Sequence, residues 1–286
     1  MKRSSMYLPT LFIASSTILL SCEKTDLVPD NSNTVKSAKS ACEALAFRSN
    51  FGAGTQYVFK KLLDPATGQL QQLTAAAYQG GAISTTTTFD VHWTANSVAF
   101  LKAGTTTDTV LVASLSAEGK PVSVVAGNTP DALNYLPTSF EYVSNRLSAM
   151  KITLGSSQLV SRFNYDTKGN CVLIQDDAQG TITPGRVEYT YDNKKADQQV
   201  YFDEPRGFSW NTFSLMQFAG LLPELQPTTL RTGVKVFWAN NYKAYDVSLG
   251  NHQVQGGTLQ SYEVTTFNGS PSSLPYFTDW QCGGAQ

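Results

Sequence analysis

The sequence has 286 residues, of which 15% are charged, and its formal net charge is −1. Charge this sparse and balanced excludes a protein that holds nucleic acid or anionic lipid through a basic surface. Low charge together with many Thr, Val, Tyr and Phe residues is typical of half-buried strands. The composition therefore indicates a β-rich protein.

The first segment of the chain has the features of an export signal. Lys2 and Arg3 precede an apolar run over about residues 7–20, which is too short for a membrane-spanning helix of about 20 apolar residues. The run ends in the letters LLSC, which resemble the bacterial lipobox. That resemblance implies a signal peptide over residues 1–21 and a lipid anchor on Cys22. A plain signal peptide followed by a buried cysteine is the alternative.

Residues 22–41 are polar and poor in aromatic side chains. Such a composition buries too little apolar surface to offset its ordering entropy, so it predicts a flexible, lipidated tether followed by a single domain over residues 42–286. The anchor implies an outer-membrane location. Glu23 and Asp26 resemble signals that send some Gram-negative lipoproteins to the outer leaflet, but a solvated linker explains them equally well. The periplasmic and the cell-surface face both stay open.

The remaining cysteines favour one disulfide. They are Cys42, Cys171 and Cys282, and the compartment outside the inner membrane is oxidising. Because Cys42 and Cys282 stand at the two ends of the folded part, and domain ends often lie close together, a bridge between them is expected. It would close a loop of about 240 residues and add up to about 5 kcal/mol. Three buried thiols are the alternative.

The sequence gives no sign of a metal or another cofactor. It has no Cys-x-x-Cys motif and no Cys/His cluster with the spacing of a zinc site. No metal ligands and no cofactor are therefore predicted.

From residue 42 onwards, short alternating runs are separated by turn signals. DTVLVASL and PVSVVAG, for example, flank SAEGK, in which Gly119 can take a positive φ. Long helical patterns do not alternate with these runs, which argues against parallel βαβ units. The prediction is an all-β fold: an antiparallel up-and-down meander of more than about ten strands, strongly curved or barrel-like, with one short helix packed against it.

An aromatic pattern repeats along the predicted hairpins, at Phe140-x-Tyr142, Phe163-x-Tyr165-Asp166 and Tyr189-x-Tyr191-Asp192. Residues two apart share one face of a strand, so each pair can stack across to a neighbouring strand. The run Tyr165–Asn170, YDTKGN, resembles the bacterial YD-repeat unit. That resemblance implies hairpin construction rather than catalysis.

One segment does not follow the alternating pattern of the predicted strands. Residues 208–222 are apolar nearly all round and are followed by Pro223, which predicts a helix buried against the concave face of the sheet. A helix that binds a partner or a membrane is the alternative.

The anchor, tether, YD-like hairpins and lone helix together resemble a group of Gram-negative lipoproteins. Those proteins have a β-meander domain of unknown function that is sometimes described as porin-like. The resemblance spans about residues 139–269 and implies a fold and a location, not an activity.

No catalytic residue is predicted. His92 lies in a predicted strand and His252 in a predicted turn, and the Gly-x-Ser-x-Gly nucleophile motif is absent from the sequence. The carboxylate pairs Asp176-Asp177 and Asp203-Glu204 could serve glycoside hydrolysis, but neighbours on a strand point to opposite faces.

The predicted function is a non-enzymatic envelope lipoprotein, either ligand-binding or a structural scaffold. Aromatic rings stack on sugars and line apolar pockets, so Trp93, Trp210 and Trp238 are candidates for binding a glycan or a small apolar molecule. The alternative is that all three are core residues. The competing function is a secreted glycan-active hydrolase using carboxylates from separate hairpins. Expected partners are the membrane, through the lipid, and such a ligand. Nucleic acid is not expected, and the chain is expected to be a monomer.

Overall fold

The sheet closes on itself to form a barrel. The computed structural model describes residues 42–51, 54–79, 82–129, 135–179, 185–201, 210–238 and 241–282. Within these ranges sixteen antiparallel strands follow one another in chain order, and the last strand pairs with the first. The predicted antiparallel meander is confirmed, and its curvature goes as far as full closure.

The strand bounds are β1 Cys42–Phe51, β2 Gly54–Leu63, β3 Leu70–Gln79, β4 Ala82–Trp93, β5 Ser97–Lys102, β6 Thr109–Leu115, β7 Pro121–Ala126, β8 Thr138–Val143, β9 Arg146–Leu154, β10 Ser157–Tyr165, β11 Cys171–Gln179, β12 Arg186–Lys195, β13 Thr229–Phe237, β14 Lys243–Gln255, β15 Thr258–Phe267 and β16 Ser270–Cys282. Helix α1, Trp210–Phe218, and a short 3₁₀ turn, Pro223–Leu225, lie between β12 and β13. None of the helices in the described ranges has the length and apolar character needed to span a bilayer.

The barrel has two ends, which differ in what they carry. We call the end formed by Cys42, Cys282 and the turns after the even-numbered strands the disulfide rim, and the opposite end the far rim. Odd-numbered strands run from the disulfide rim to the far rim because every neighbouring pair is antiparallel. The connection that contains α1 leaves β12 and returns to β13 at the disulfide rim.

Side-chain alternation gives the barrel an apolar interior and a polar exterior. On β10, Leu159 and Phe163 are buried, whereas Arg162 is exposed. On the outer face Arg162 Nε donates to Asp177 Oδ2 at 2.7 Å, and Lys151 pairs with the carboxylate of Glu141 on β8. Barrels that span an outer membrane have the reverse arrangement, an apolar outer band around a polar interior.

Helix α1 lies inside the barrel and joins opposite walls. Phe213 packs on Phe163 of β10, with ring centroids 5.8 Å apart, and Phe218 packs on Phe59 of β2, at 4.9 Å. Since seven strands separate β2 from β10 on either side of the ring, these two contacts fix the helix across the lumen. Leu215 and Met216, between them, are buried at 2% and 0% exposure. The helix therefore belongs to the core.

The helix ends earlier than the sequence pattern predicts. It stops at Phe218 rather than at residue 222, and residues 208–209 lie outside the described ranges. Gly220 takes φ +78°, a left-handed conformation that favours glycine. Its N–H donates to Gln217 O at 3.0 Å, and the Leu221 N–H donates to Met216 O at 2.9 Å. This glycine stop ends the helix before Pro223 can.

A disulfide joins the first and last strands. Cys42 and Cys282 lie directly opposite each other in the β1–β16 ladder, and their Sγ atoms are bonded at 2.01 Å. The bond therefore spans the seam at which the sheet closes. Cys171 is buried at the start of β11.

A side-chain hydrogen bond repeats around the disulfide rim. In each case a Trp, Tyr or His side chain lies near the end of an even-numbered strand. Its N–H or O–H group donates to a backbone carbonyl near the start of the preceding strand. The pairs are Trp93–Leu70 (2.8 Å), Tyr142–Pro121 (3.0 Å), Tyr165–Leu147 (2.9 Å), Tyr191–Cys171 (2.7 Å), His252–Arg231 (2.9 Å) and Trp280–Leu259 (2.9 Å). The second aromatic of each predicted pair, Tyr142, Tyr165 and Tyr191, thus ties one hairpin together at its open end.

The YD-like turn fixes the chain as it returns from α1. Asp166 accepts hydrogen bonds from the backbone N–H groups of Lys168 and Asn170, at 2.9 and 2.8 Å. Asn170 is fully buried. Its Nδ2 donates to Thr229 Oγ1 at 3.1 Å, and its Oδ1 accepts from the Thr228 N–H at 2.8 Å. The turn therefore holds the first residues of β13, which is a structural role.

Replacing Asn170 with Ala should lower the free energy of unfolding by roughly 2–4 kcal/mol, because several buried groups lose their partner at once. Denaturant unfolding, monitored by tryptophan fluorescence, measures this change. Asn164→Ala, at an exposed position on the same hairpin, is the matched control and should change the free energy by less than about 0.5 kcal/mol. Equal effects of the two substitutions would contradict the role of the turn.

Replacing both Cys42 and Cys282 with Ser should lower the free energy of unfolding by about 2–5 kcal/mol, because the unfolded chain regains the entropy of an open loop. Guanidinium denaturation of the chain from residue 23 onwards measures the loss. Reduction of the unchanged chain, verified by thiol counting, should reproduce it. An unaltered midpoint in both preparations would show that the bridge contributes nothing.

Candidate functional site

The three candidate tryptophans do not form one surface. Trp93 lies at the disulfide rim, packs against the core and donates from Nε1 to Leu70 O. Trp238 follows β13 at the far rim and is 51% exposed. Trp210 begins α1, and its side chain lies outside what the structure describes. Trp93 and Trp238 therefore stand at opposite ends of the barrel, and no single cleft contains both.

The neighbouring carboxylates Asp176 and Asp177 point to opposite faces of β11. Asp176 is buried, and its carboxylate accepts from Ser161 Oγ at 2.7 Å and from the Gly185 N–H at 3.2 Å. Asp177 lies outside, paired with Arg162. Both carboxylates are thus engaged by neighbours in the sheet. Asp203-Glu204 lies outside the described residues.

His92 has no part in a buried site, because its side chain is exposed on β4. Asp90, two residues earlier, accepts from Gln72 Nε2 at 3.0 Å and from the Gly104 N–H at 2.8 Å. These hydrogen bonds lower the pKa of Asp90. Within the described ranges no group of three His, Cys, Asp or Glu side chains could hold a metal ion.

The candidate site is a cleft where two strands separate. The β13–β14 ladder runs from Phe237↔Lys243 to Gly233↔Ser248 and ends there, although both strands continue towards the disulfide rim. Between them is a cleft of about 690 Å³, which we call the seam cleft. Its lining residues are Lys194, Lys195, Leu230, Thr232, Leu249, Gly250, Asn251, His252, Gln253 and Val254.

The segment that follows β12 lies close to this region. The N–H groups of Asp197 and Gln198 both donate to Gly257 O, at 2.7 and 3.2 Å, and the Leu259 N–H donates to Gln198 O at 2.9 Å. Gln198 also forms a parallel bridge with Thr258. The backbone of the chain leaving β12 is thus bonded to the β14–β15 turn and to the start of β15.

His252 spans the seam cleft at one point. Because the Arg231 carbonyl can only accept, the contact at 2.9 Å means that Nε2 carries the proton. The ring lies 6.2 Å from that of Tyr262, nearly parallel to it. Burial lowers the pKa of His252, and the Arg231 hydrogen bond and the charge of Asp192 only partly oppose this. The imidazole is therefore neutral near pH 7, with Nδ1 left as an acceptor.

A buried aromatic cluster supports the cleft from inside. The Arg231 guanidinium lies 4.2 Å from the ring centre of Tyr189 and 4.8 Å from that of Tyr201. The Tyr201 hydroxyl donates to Gln199 Oε1 at 2.7 Å and accepts from the Arg231 N–H at 2.8 Å. Burial raises the pKa of Tyr201. These contacts hold the start of β13 rigidly behind the cleft.

The sequence did not point to this cleft, and it misplaced His252. His252 lies within β14, not in a turn. The turn-like letters around it reflect Asn251, which takes φ +50° inside the strand. A run of LGNHQ in the middle of a long alternating pattern is the one available signal, because glycine and asparagine interrupt regular strand geometry.

Comparison with known proteins agrees with the barrel. No protein-family model matches the chain, and no curated protein is significantly similar to it. A porin-like protein from Bacteroides vulgatus is 12% identical with TM-score 0.53, the match covering 82% of this chain and 97% of that one. A porin-like protein from Bacteroides uniformis is 12% identical with TM-score 0.57, covering 82% and 96%. At this identity the similarity shows the fold alone, and it confirms the porin-like part of the resemblance.

The unfolding free energy should fall as the pH drops from about 7 to about 5, since unfolded His252 takes up a proton more readily than the folded residue does. His252→Gln keeps a donor for the Arg231 carbonyl but does not titrate, so it should remove part of this slope. Denaturant unfolding across that pH range measures the difference. The idea fails if His252→Gln has the slope of the unchanged chain.

Proposed function

We propose that this protein is a lipid-anchored, non-enzymatic protein of the cell envelope, whose barrel serves as a rigid binding or scaffold body and not as a pore. The observation that carries this proposal is the filled lumen. Porins with 16–18 strands leave an aqueous channel, whereas here α1 crosses the lumen and packs on both walls through Phe213 and Phe218. Among the described residues, these ring contacts place apolar side chains across the lumen.

The exterior of the barrel supports the same conclusion. Ion pairs such as Arg162–Asp177 and Lys151–Glu141 lie on the outer wall, where a membrane-spanning barrel would present apolar residues to lipid. An Arg or Lys side chain on a lipid-facing wall destabilises such a barrel by about 2–4 kcal/mol near the bilayer centre. Attachment to a membrane would therefore come from a lipid, for which Cys22 in LLSC is the candidate.

The folded barrel begins with Cys42 at the disulfide rim, so the proposed tether of residues 22–41 joins the barrel there. We place the protein at the outer membrane, and the proposal is neutral between the periplasmic and the cell-surface face.

A glycan-active hydrolase is the competing function. An inverting or retaining glycosidase needs two carboxyl groups about 5–10 Å apart across an open site. Asp176 and Asp177 do not meet this need, because one is hydrogen-bonded inside the barrel and the other is paired outside. The seam cleft is lined by lysine, histidine and amide side chains, not by a carboxylate pair. Binding or scaffolding therefore suits the described residues better than hydrolysis.

Cys22→Ala should release the folded barrel from the membrane fraction of expressing cells, or stall the processing of its signal. The full chain should fractionate with membranes and incorporate labelled fatty acid. As a control, residues 23–286 behind an ordinary secretory signal should be recovered without detergent. Detergent-dependent recovery of that control would contradict the proposal, because it would mean that the barrel itself inserts into the bilayer. Unaltered membrane association of Cys22→Ala would count against the anchor.

A further inference from the structure

We propose that the seam cleft binds an anionic ligand the size of a sugar, one that carries a carboxylate or a phosphate group. This inference deepens the binding role in the proposed function and rests on it. It depends on three features of the cleft: irregularities in two of the strands that line it, two lysines without ion partners, and its size and polarity.

The first irregularity is in β12. Tyr191 pairs with Arg231, and the next pair is Lys195 with Thr229, so β12 advances four residues while β13 advances two. The Lys194 N–H donates to Asp192 Oδ1 at 2.8 Å and stabilises the extra residues. In a regular strand consecutive side chains point to opposite faces. Here both Lys194 and Lys195 line the same cleft.

The second irregularity faces the first from β14. Gly250 pairs with Glu263 and Gln253 pairs with Ser261, so β14 advances three residues against two. Six consecutive residues of this stretch, Leu249 to Val254, line the cleft, because the ladder with β13 has ended at Ser248. Bulges are over-represented next to active sites, where they re-aim side chains. Two bulges that turn towards one cleft from opposite walls indicate a site built for a ligand.

The charges in the cleft favour an anion. Within the described part of the chain, the ammonium groups of Lys194 and Lys195 form no ion pair. The nearby carboxylates act on the protein's own groups: Asp192 accepts from the Lys194 backbone, and Glu263 Oε2 accepts from Asn251 Nδ2 at 2.7 Å. Two ammonium groups outside any described ion pair, beside amide donors, can hold a carboxylate or phosphate by charge-assisted hydrogen bonds.

The size and the lining of the cleft suit a sugar. About 690 Å³ is within the usual range for small-molecule sites. Leu230 and Leu249, at 2% and 7% exposure, provide a small apolar floor. Apart from Gly250 and the exposed Val254, the other lining residues have polar side chains. A sugar ring has an apolar face and a hydroxylated edge, which matches this division. An entirely apolar molecule would leave the amide and ammonium groups without partners.

The test compares three sugars that share one ring: galacturonate, galactose 6-phosphate and galactose. Ligand-detected NMR titrations use the chain from residue 23 onwards at low ionic strength. We expect saturable binding of at least one anionic sugar, at least about tenfold tighter than galactose and weakened by added salt. Whichever anion binds more tightly identifies the acidic group. No saturable binding of either anion, or equal binding of galactose, would overturn the inference.

The double variant Lys194→Gln/Lys195→Gln should weaken anion binding about tenfold or more. Lys60→Gln/Lys235→Gln, which removes two exposed lysines outside the cleft, is the matched control and should have no effect. An equal loss in both variants would assign the binding to overall charge and overturn the site. Release of a hydrolysed product from a longer anionic glycan would instead contradict the non-enzymatic proposal. The two failures can thus be told apart.

Discussion

Closing sixteen strands into a ring encloses more space than the side chains of the wall can fill, and filling it with α1 is the constraint on which the rest of the structure depends. The wall presents an apolar inner face, which would be exposed to water if the lumen were empty. Phe213 and Phe218 of the helix contact opposite walls, so the apolar side chains of both walls pack with the helix into a single core. The barrel then needs no lipid around it, and its outer face is free to be charged.

The disulfide rim fixes the C-terminal end of the helix and the chain that returns from it to β13. Gly220 ends the helix, and the buried Lys61, paired with Glu43, lies near this C-terminal end, where a positive charge is favoured. Asn170 holds the returning chain at Thr228 and Thr229. The ring of Tyr, Trp and His hydrogen bonds closes the hairpins at the same rim. These contacts explain the aromatic repeat as a device that ties strands together.

Local patterns were enough to predict the architecture because a strand has a period of two residues. Alternation of apolar and polar residues predicts antiparallel hairpins, and glycines in the polar segments between the runs predict where the strands end. Gly119 and Gly169 lie in two such turns and take positive φ, +77° and +92°. The segment over residues 208–222, which is apolar nearly all round, predicts a buried helix. The helix ends at Phe218 and not at residue 222 because Gly220, in its left-handed conformation, stops it before Pro223.

The seam cleft could not be predicted from the sequence, because it depends on pairing between distant segments. The bulge in β12 exists only relative to β13, and the bulge in β14 only relative to β15. Without those registers, Lys194 and Lys195 look like ordinary solvated residues at a strand end. The candidate tryptophans were chosen by residue type alone, and position in the barrel separates Trp93 from Trp238.

The central claim is that the lumen is packed and closed to solvent, and cysteine accessibility measures this directly. Leu215→Cys places a thiol on α1 at a position 2% exposed, and Arg162→Cys places one on the outer wall. In the folded chain from residue 23 onwards, a bulky maleimide should modify the cysteine at 162 at once, and the cysteine at 215 only after denaturation. Modification of both at similar rates in the folded protein would mean that the barrel contains an open channel and would contradict the account.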